Sequence, residues 1–357
     1  MPALRSFWWL APCDERDARA PLAVLRAALP VAWRTLRASI ILTVLWLAAA
    51  SGAASAVAAG SIVGFQSDWA VPVEQYPRDP AIGPDGGVYF AKQAADRIAR
   101  FDPKSHAFLE WPLPKGSVPK GVVVTRDGKV FYGASGRGTI GELDPTTGVV
   151  REFKTSAAKS DPYSLVLDAA GNIWFTLRGI YAVGKLDRST ERISEYLVGA
   201  DVYALAIDRQ ARVWVSRMES DRISRLDPRN GEIAEIVVAP GARPRRLAVG
   251  PDGSLWVTYY GAGKLARIDP VAAKIVAEYL LPGGRNGGPY PVSVDQLGRV
   301  WVSEFQSNQV VVFDPRDAKF RLFAYPSPNT GVRNAVIDAA GRYWYLGGSN
   351  GRLGFIE

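Results

Sequence analysis

The stretch PYSLVLDAAGNIWFTL, residues 162–177, contains the pattern that decides the fold. An apolar run ends in Asp and then Gly, and a second run rich in β-branched and aromatic residues follows at once. Gly tolerates the positive φ of a tight turn, while β-branched and aromatic residues favour strands. The stretch therefore predicts two antiparallel strands joined by a short turn.

The same pattern occurs seven times, at a period of about 43 residues. The ten-residue segments that open the repeats are PRDPAIGPDG (77–86), PKGVVVTRDG (119–128), PYSLVLDAAG (162–171), VYALAIDRQA (202–211), PRRLAVGPDG (244–253), PYPVSVDQLG (289–298) and VRNAVIDAAG (332–341). Three residues after each segment stands an aromatic residue: Tyr89, Phe131, Trp174, Trp214, Trp256, Trp301 and Trp344. Thirteen residues after each aromatic stands an acid: Asp102, Asp144, Asp187, Asp227, Asp269, Asp314 and Glu357. The constant interval indicates one structural unit repeated seven times.

Each repeat provides four predicted strands. The third ends in hydrophobic-Asp-Pro, as in LDPTTG (143–148), where Asp opens a turn and Pro presets φ; the fourth follows, as in FLEWPLP (108–114). We predict an all-β fold, a seven-bladed β-propeller of four-stranded antiparallel blades. The last repeat ends at Glu357 after three strands. We expect the N-terminal stretch WAVPVEQYP (69–77) to complete this blade and close the ring, with residues 71–76 paired to 351–356.

The first 60 residues differ from the propeller domain, which we place at 61–357. Residues 39–59 carry no charge, follow Arg34 and Arg37, and end in small residues with A-x-A-like sites. This pattern indicates a signal peptide with a long n-region, whose length a misassigned translation start would explain, and predicts a periplasmic or secreted protein. An uncleaved membrane anchor is the alternative, since about 20 apolar residues can span a bilayer.

Charge and cysteine content exclude several function classes. The net charge is +8, but Lys and Arg are scattered among acids without a long basic run, so no nucleic-acid partner is predicted. The single cysteine, Cys13, lies before the propeller, which rules out disulfides and cysteine-based zinc sites within it.

The predicted site lies at the mouth of the central channel. The residue after the leading Pro or Val of each segment begins an innermost strand, and in order these residues are Arg78, Lys120, Tyr163, Tyr203, Arg245, Tyr290 and Arg333. The residues three past each second-strand aromatic come from the same face and include Arg217 and Glu304. Arg supplies forked donors and Tyr a stacking surface, which favours an anionic or sugar-like small molecule. A protein partner on this face, or side chains that merely cover the channel, are the alternatives.

The acids of the hydrophobic-Asp-Pro turns recur in every blade on the opposite face, so we interpret them as structural. The only histidine, His106, follows Asp102 in one of these turns. The sequence therefore predicts no Ser–His–Asp triad and no metal site.

Three motifs give a family resemblance over residues 69–357: the strand GNIWFT (171–176), GPDG at 83–86 and 250–253, and the pattern xIxRxDPxxGxI at 222–233. They resemble the streptogramin B (virginiamycin B) lyase family. The resemblance implies a carbon–oxygen lyase that uses Mg²⁺, a catalytic His just after the leading Pro of late repeats, and an assisting Glu. Those late positions hold Arg245, Tyr290 and Arg333 here, and only Glu304 keeps a carboxylate.

We therefore predict an exported propeller that binds a ligand or partner and lacks the family's histidine-based chemistry. The alternative is an enzyme, either a carbon–oxygen lyase acting on a cyclic ester or lactone or a lactonase-like hydrolase. Tyr290 and Glu304 are then the candidate catalytic residues, with Mg²⁺ as the cofactor that the resemblance implies.

Overall fold

The computed structural model describes residues 64–72 and 76–357, so the predicted signal segment lies outside the described residues. The described chain forms seven four-stranded antiparallel sheets, and the inner strands of neighbouring sheets contact each other around a ring. This confirms the seven-bladed β-propeller. Two short 3₁₀ helices, Gln93–Ala95 and Gly284–Asn286, also occur in this part of the chain. No helix in these residues has the length and apolar character needed to cross a membrane.

Each blade consists of an inner, a second, a third and an outer strand. The inner strands are β2 (Pro77–Ile82), β6 (Pro119–Val124), β10 (Pro162–Leu167), β14 (Val202–Ile207), β18 (Pro244–Val249), β22 (Pro289–Val294) and β26 (Val332–Ile337). The second strands are β3 (Val88–Lys92), β7 (Val130–Ala134), β11 (Ile173–Leu177), β15 (Val213–Arg217), β19 (Leu255–Tyr259), β23 (Val300–Glu304) and β27 (Tyr343–Gly347). The third strands are β4 (Arg97–Phe101), β8 (Thr139–Leu143), β12 (Ala182–Asp187), β16 (Arg222–Asp227), β20 (Lys264–Asp269), β24 (Gln309–Asp314) and β28 (Arg352–Ile356). The outer strands are β5 (Phe108–Pro112), β9 (Val150–Lys154), β13 (Arg192–Leu197), β17 (Glu232–Val237), β21 (Lys274–Leu280), β25 (Lys319–Ala324) and, for the last blade, β1 (Phe65–Ala70).

The repeated aromatic residue packs between neighbouring blades, as predicted. Trp214 of the fourth blade shares a buried cluster with Leu247 and Val257 of the fifth. Trp344 of the last blade packs against Val88 of the first, so the same contact crosses the ring closure. Burial of such large side chains stabilises the contact between neighbouring blades.

The aspartate at the end of an inner strand fixes both the turn and the aromatic residue. Asp208 accepts the backbone N–H groups of Gln210 and Arg212 with one carboxylate oxygen, and the indole N–H of Trp214 donates to the other at 2.9 Å. The same indole–carboxylate bond occurs at Trp174, Trp301 and Trp344. The D-x-x-G turn and the aromatic six residues after the Asp are therefore one hydrogen-bonded unit.

The acids of the hydrophobic-Asp-Pro turns are structural, as predicted. Asp227, for example, accepts hydrogen bonds from the guanidinium and the backbone N–H of Arg229, and these bonds lower its pKa to about 2. His106 lies in the first of these turns, where it is exposed and its ring stacks on Phe101.

The N-terminal strand closes the ring, but the prediction that residues 71–76 pair with 351–356 is wrong. The closing strand is β1, which pairs with β28 from Phe65 opposite Ile356 to Ala70 opposite Arg352. The strand cannot extend further because Pro72 has no N–H for the ladder. Strand β5 likewise ends one residue after its tryptophan, at Pro112.

We expect the closing strand to depend on Trp69. Its half-buried ring lies 4.6 Å from that of Phe101 and 6.3 Å from that of Trp344, between centroids. Trp69→Ala should lower the free energy of unfolding by about 2–3 kcal/mol, less than the 3–5 kcal/mol typical of a fully buried aromatic. Leu109→Ala, at a position 53% exposed on β5, is the control and should change it little. Equal effects of the two changes in urea denaturation would contradict this account of closure.

Candidate functional site

Three of the predicted tyrosines meet at the channel mouth, the end of the propeller where the inner strands begin. The hydroxyls of Tyr163 and Tyr203 lie 2.9 Å apart, and that of Tyr203 is also hydrogen-bonded to that of Tyr290. The three residues follow the first residue of β10, β14 and β22, and none is more than 5% exposed. Three blades therefore contribute one continuous chain of phenol groups.

A one-residue shift in the inner strands directs these side chains. In β10, Pro162 is opposite Leu177 but Leu165 is opposite Phe175, so one residue is extra between the two pairs. The same kind of irregularity interrupts the inner strand of every blade. Such a bulge changes the direction of local side chains, and here it affects the second and third residues of the strand.

Cations of the predicted ring surround the phenols. The guanidinium of Arg245 lies 3.7 Å from the ring centroid of Tyr290, and that of Arg78 lies 4.9 Å from the centroid of Tyr163. The ammonium of Lys120 lies 5.1 Å from the same Tyr163 ring. These distances are within the range of favourable cation–π contact.

Arg333 lies at the edge of this cluster. Its guanidinium is 4.8 Å from the ring centroid of Tyr76 and 5.2 Å from that of Phe305. The structure therefore brings six of the seven predicted ring residues into one cluster by direct contacts and places Arg333 beside it through Phe305, whose ring lies 5.8 Å from that of Tyr290.

Two further charged residues, which the sequence analysis did not identify, lie below the tyrosines in the channel. Arg246 donates to Asp79 at 3.4 Å across the axis and to the hydroxyl of Ser164 at the same distance. Arg78 donates to the other oxygen of Asp79 at 3.4 Å. Asp79 and Arg246 also line a cavity of about 90 Å³ within the channel. They occupy the third position of the inner strand, and they are the only charged residues at that position in the seven repeats.

The cluster contains more positive than negative charge. Arg78, Asp79 and Arg246 are all buried, and two guanidinium groups share this single carboxylate. The Nε atoms of Arg78, Arg245 and Arg246 are buried and have no hydrogen-bond partner among the described residues. Buried cations without full compensation are costly to a fold.

The surrounding groups shift the pKa values of two of the phenols in opposite directions. Burial alone would raise the pKa of Tyr163, but the adjacent charges of Arg78 and Arg246 lower it to about 7. Burial and the neighbouring phenols Tyr290 and Tyr163 raise the pKa of Tyr203 well above its usual value. One phenol of the hydrogen-bonded chain is therefore acidic near neutral pH while its neighbour keeps its proton.

A third group missed by the sequence analysis is the residue that directly follows each second strand. Arg178 follows β11, and its guanidinium lies 4.6 Å from the centroid of Tyr163. Tyr260 and Phe305 hold the same place after β19 and β23, and Arg245 lies 4.3 Å from the Tyr260 ring. The last residue of the strand stays in the sheet, whereas the next one enters the loop and can reach the mouth.

Arg217 and Glu304 therefore lie inside their own blades. Arg217 forms an ion pair with Glu235 and donates to the carbonyl of Ala200 at 2.9 Å. Glu304 is fully buried, accepts the N–H of Gly283 at 3.0 Å and the side-chain amide of Gln309, and its pKa is raised by burial. Neither has a hydrogen bond, ion pair or ring contact with the three tyrosines.

The surroundings of Glu304 do not fit Mg²⁺. Magnesium prefers near-octahedral oxygen ligands, with carboxylates free to coordinate it. Here both oxygens of Glu304 accept hydrogen bonds from protein donors. Across the residues that the structure describes, no group of three or more His, Cys, Asp or Glu side chains could hold a metal ion.

Comparison with known proteins agrees with the propeller geometry. The model of the virginiamycin B lyase family matches residues 43–202 and 198–357. The chain belongs to this family. Among curated proteins the comparison found no match.

Solved structures of differently named proteins share the fold at low sequence identity. A streptogramin B lyase structure is 22% identical, with a TM-score of 0.76 over 84% of this chain and 99% of that one. Virginiamycin B lyase from Staphylococcus aureus is 19% identical, with a TM-score of 0.74 over 81% and 98%. Hydrazine synthase from Kuenenia stuttgartiensis is 14% identical, with a TM-score of 0.65 over 82% and 98%. These structural similarities define the fold of the family member described here, and one fold carries different chemistry.

We expect Asp79 to be the main stabilising countercharge of the cluster. Asp79→Asn keeps the side-chain shape and tolerates the local φ of +52°, but removes the charge shared by Arg78 and Arg246. Breaking a buried ion pair typically costs about 3–5 kcal/mol in free energy of unfolding. Glu191→Gln, which removes the exposed partner of Arg151, is the matched control and should have little effect. An Asp79→Asn protein as stable as the parent in urea denaturation would show that other groups balance the arginines.

Proposed function

We propose that this family member is an exported binding propeller that holds an anionic small molecule at the channel mouth, without the histidine-based chemistry of lyases. The observation that carries the proposal is the uncompensated positive charge beneath the mouth. Arg78 and Arg246 share one carboxylate, and three buried guanidinium Nε atoms have no partner. A bound anion would supply the missing negative charge and the missing acceptors.

The cations nearest to solvent could contact such a ligand directly. The side chain of Arg178 is 39% exposed and that of Lys120 is 14% exposed, while Arg245 is half-buried. Arg178 and Lys120 both pair with Asp161, at 3.7 and 2.8 Å. Asp161 therefore neutralises only one of these two positive charges. A net positive charge is left to attract an anion bound above them.

Aromatic rings at the same place support a ligand with a sugar-like or flat apolar face. Tyr260 and Phe305 are half-buried beside Tyr290, and Tyr76 is 39% exposed next to Arg333. Rings of this kind stack on sugars, while guanidinium groups fix a carboxylate or sulfate. We therefore favour a sugar acid or a similar small anion over a protein partner.

Export remains part of the proposal because of the apolar segment at residues 39–59 and its small-residue end. N-terminal sequencing of the protein from a periplasmic fraction would test it, and recovery of the uncut chain in membranes would favour an anchor.

A carbon–oxygen lyase is the second candidate function, and one observation favours it. A phenol with a pKa of about 7, Tyr163, could act as a general base near neutral pH. This makes Tyr163, rather than Tyr290 or Glu304, the stronger candidate for that role. Against it stands the burial of the hydroxyl within a chain of phenols, which leaves a substrate little access to the oxygen.

Removal of the mouth arginines should weaken anion binding. In Arg245→Ala/Arg333→Ala, we expect the affinity for glucuronate and for sulfate to fall at least about tenfold, since a hydrogen bond to a charged group contributes about 1.5–3 kcal/mol. Binding by the parent protein should also weaken with added salt. Arg316→Ala, in a turn on the opposite face, is the control and should bind normally. Calorimetric titration measures each case, and affinity unaffected by the double change would disprove the proposed site.

We also expect no useful turnover of streptogramin B antibiotics. General-base catalysis contributes about 10²–10⁴-fold, and the only histidine, His106, lies in a turn on the face opposite the mouth. A catalytically inactive histidine-to-alanine variant of the Staphylococcus aureus enzyme, crystallised with quinupristin, illustrates how that enzyme depends on its histidine. The purified protein should leave quinupristin intact by mass spectrometry with Mg²⁺ present, while the active Staphylococcus aureus enzyme opens it. Ring opening that is lost in Tyr163→Phe would instead establish the lyase alternative.

A further inference from the structure

Tyr163 lies at the point where the charges of the site converge. Its hydroxyl is bonded to that of Tyr203, which continues to Tyr290. The charged groups around it come from five parts of the chain: Arg78 and Asp79 on β2, Lys120 on β6, Asp161 before β10, which pairs with Lys120 and Arg178, Arg178 after β11, and Arg246 on β18. Four cations thus surround one phenol, and two carboxylates pair with these cations.

The two carboxylates leave part of this charge unbalanced. Asp161 is shared by Lys120 and Arg178, and Asp79 is shared by Arg78 and Arg246. Without a ligand, the group in the cluster that can supply a further negative charge by losing a proton is the Tyr163 phenol.

We propose that Tyr163, held by the Tyr203 hydroxyl and enclosed by four cations, is an internal counter-ion that an incoming anion replaces, so that binding takes up one proton. This inference rests on the proposed anion-binding function. In the exchange, the phenolate oxygen of Tyr163 accepts a proton from solvent while the single negative charge of the ligand takes over its role. The net charge of the cluster is the same before and after.

The hydrogen-bonded phenols allow this exchange without rearrangement. When Tyr163 is ionised, the Tyr203 hydroxyl donates to it across 2.9 Å and accepts from Tyr290. Tyr203 keeps its own proton because burial and the neighbouring phenols raise its pKa well above the usual value. The pKa of about 7 that Arg78 and Arg246 give Tyr163, against the effect of burial, agrees with ionisation in the ligand-free protein above neutral pH.

The exchange predicts a definite direction of pH dependence. A bound anion raises the pKa of Tyr163, so the complex holds more protons than the free protein at pH values above about 7. Affinity should therefore be highest below that pH and fall by up to about tenfold per pH unit above it. It should level off once Tyr163 is ionised in the complex as well. A ligand with one permanently ionised group, such as a sugar carboxylate, matches the single charge that Tyr163 gives up.

Proton uptake can be measured directly with glucuronate, whose carboxylate stays ionised throughout. Calorimetric titration at about pH 8, one unit above the pKa of Tyr163, in two buffers of different protonation enthalpy should give an uptake approaching one proton per glucuronate. Tyr163→Phe should bind glucuronate with almost no proton uptake and no loss of affinity between about pH 7 and 9. Tyr181→Phe, at an exposed tyrosine outside the cluster, is the matched control and should behave like the parent.

A second measurement needs no variant that could fail to fold. The ultraviolet absorbance of tyrosinate in the unaltered protein should show a step near pH 7, and glucuronate should shift that step upward. Glucuronate binding without proton uptake, or with a step that does not move, would overturn the counter-ion role and leave the proposed function standing. Failure of both glucuronate and sulfate to bind would overturn both.

Discussion

The pairing of β1 with β28 is the interaction on which the rest of the molecule depends. It joins residues near the two ends of the described chain and turns an open row of blades into a ring. It also determines the position of β2, which begins only seven residues after β1 ends and carries Arg78 and Asp79. Because Asp79 meets Arg246 of the fifth blade across the axis, the central ion pair exists only in the closed ring. Closure of the fold and assembly of the site are therefore one event.

Because the fold consists of seven copies of one unit, the residues that maintain the fold can be distinguished from those at the candidate site. The turn aspartates, the interblade aromatics and the Asp-Pro turns recur in nearly every repeat, and each forms hydrogen bonds or buried contacts within or between blades. The second and third positions of the inner strands instead change from blade to blade, from Arg to Tyr or from Asp to Gly. The axis brings these variable positions together, so their differences, and not the repeat itself, provide the chemistry.

The constant spacing of thirteen residues from aromatic to acid made the blade number and strand order predictable from the sequence. Similarity to FLEWPLP correctly assigned Trp69 to the closing segment, but the expected pairing of residues 71–76 lies too far along the chain. The hydrogen-bonded ladder between β1 and β28 ends at Ala70, before Pro72. Seven equivalent positions predicted which side chains surround the mouth. Which of them touch could not be predicted, since Arg78 and Tyr163 belong to different blades and meet only at the axis. The phenol with the lowered pKa is Tyr163, because Arg78 and Arg246 flank it. Since these arginines come from other blades, the sequence could not distinguish Tyr163 from the other two tyrosines.

The position of the mouth also explains how a propeller can keep its fold while the residues at the mouth change. The residues that hold a blade together lie along its strands and at the turns opposite the mouth, as Asp208 and Trp214 do. Replacement of a mouth residue leaves those bonds intact, so the side chains at the mouth can differ without loss of the propeller. Such a change has its own cost, because each buried guanidinium requires a counter-charge. In this chain Asp79 supplies one, and a phenol that ionises near neutral pH can supply the next. The charge balance at the axis therefore depends on one shared carboxylate and on one phenol that can lose and regain its proton.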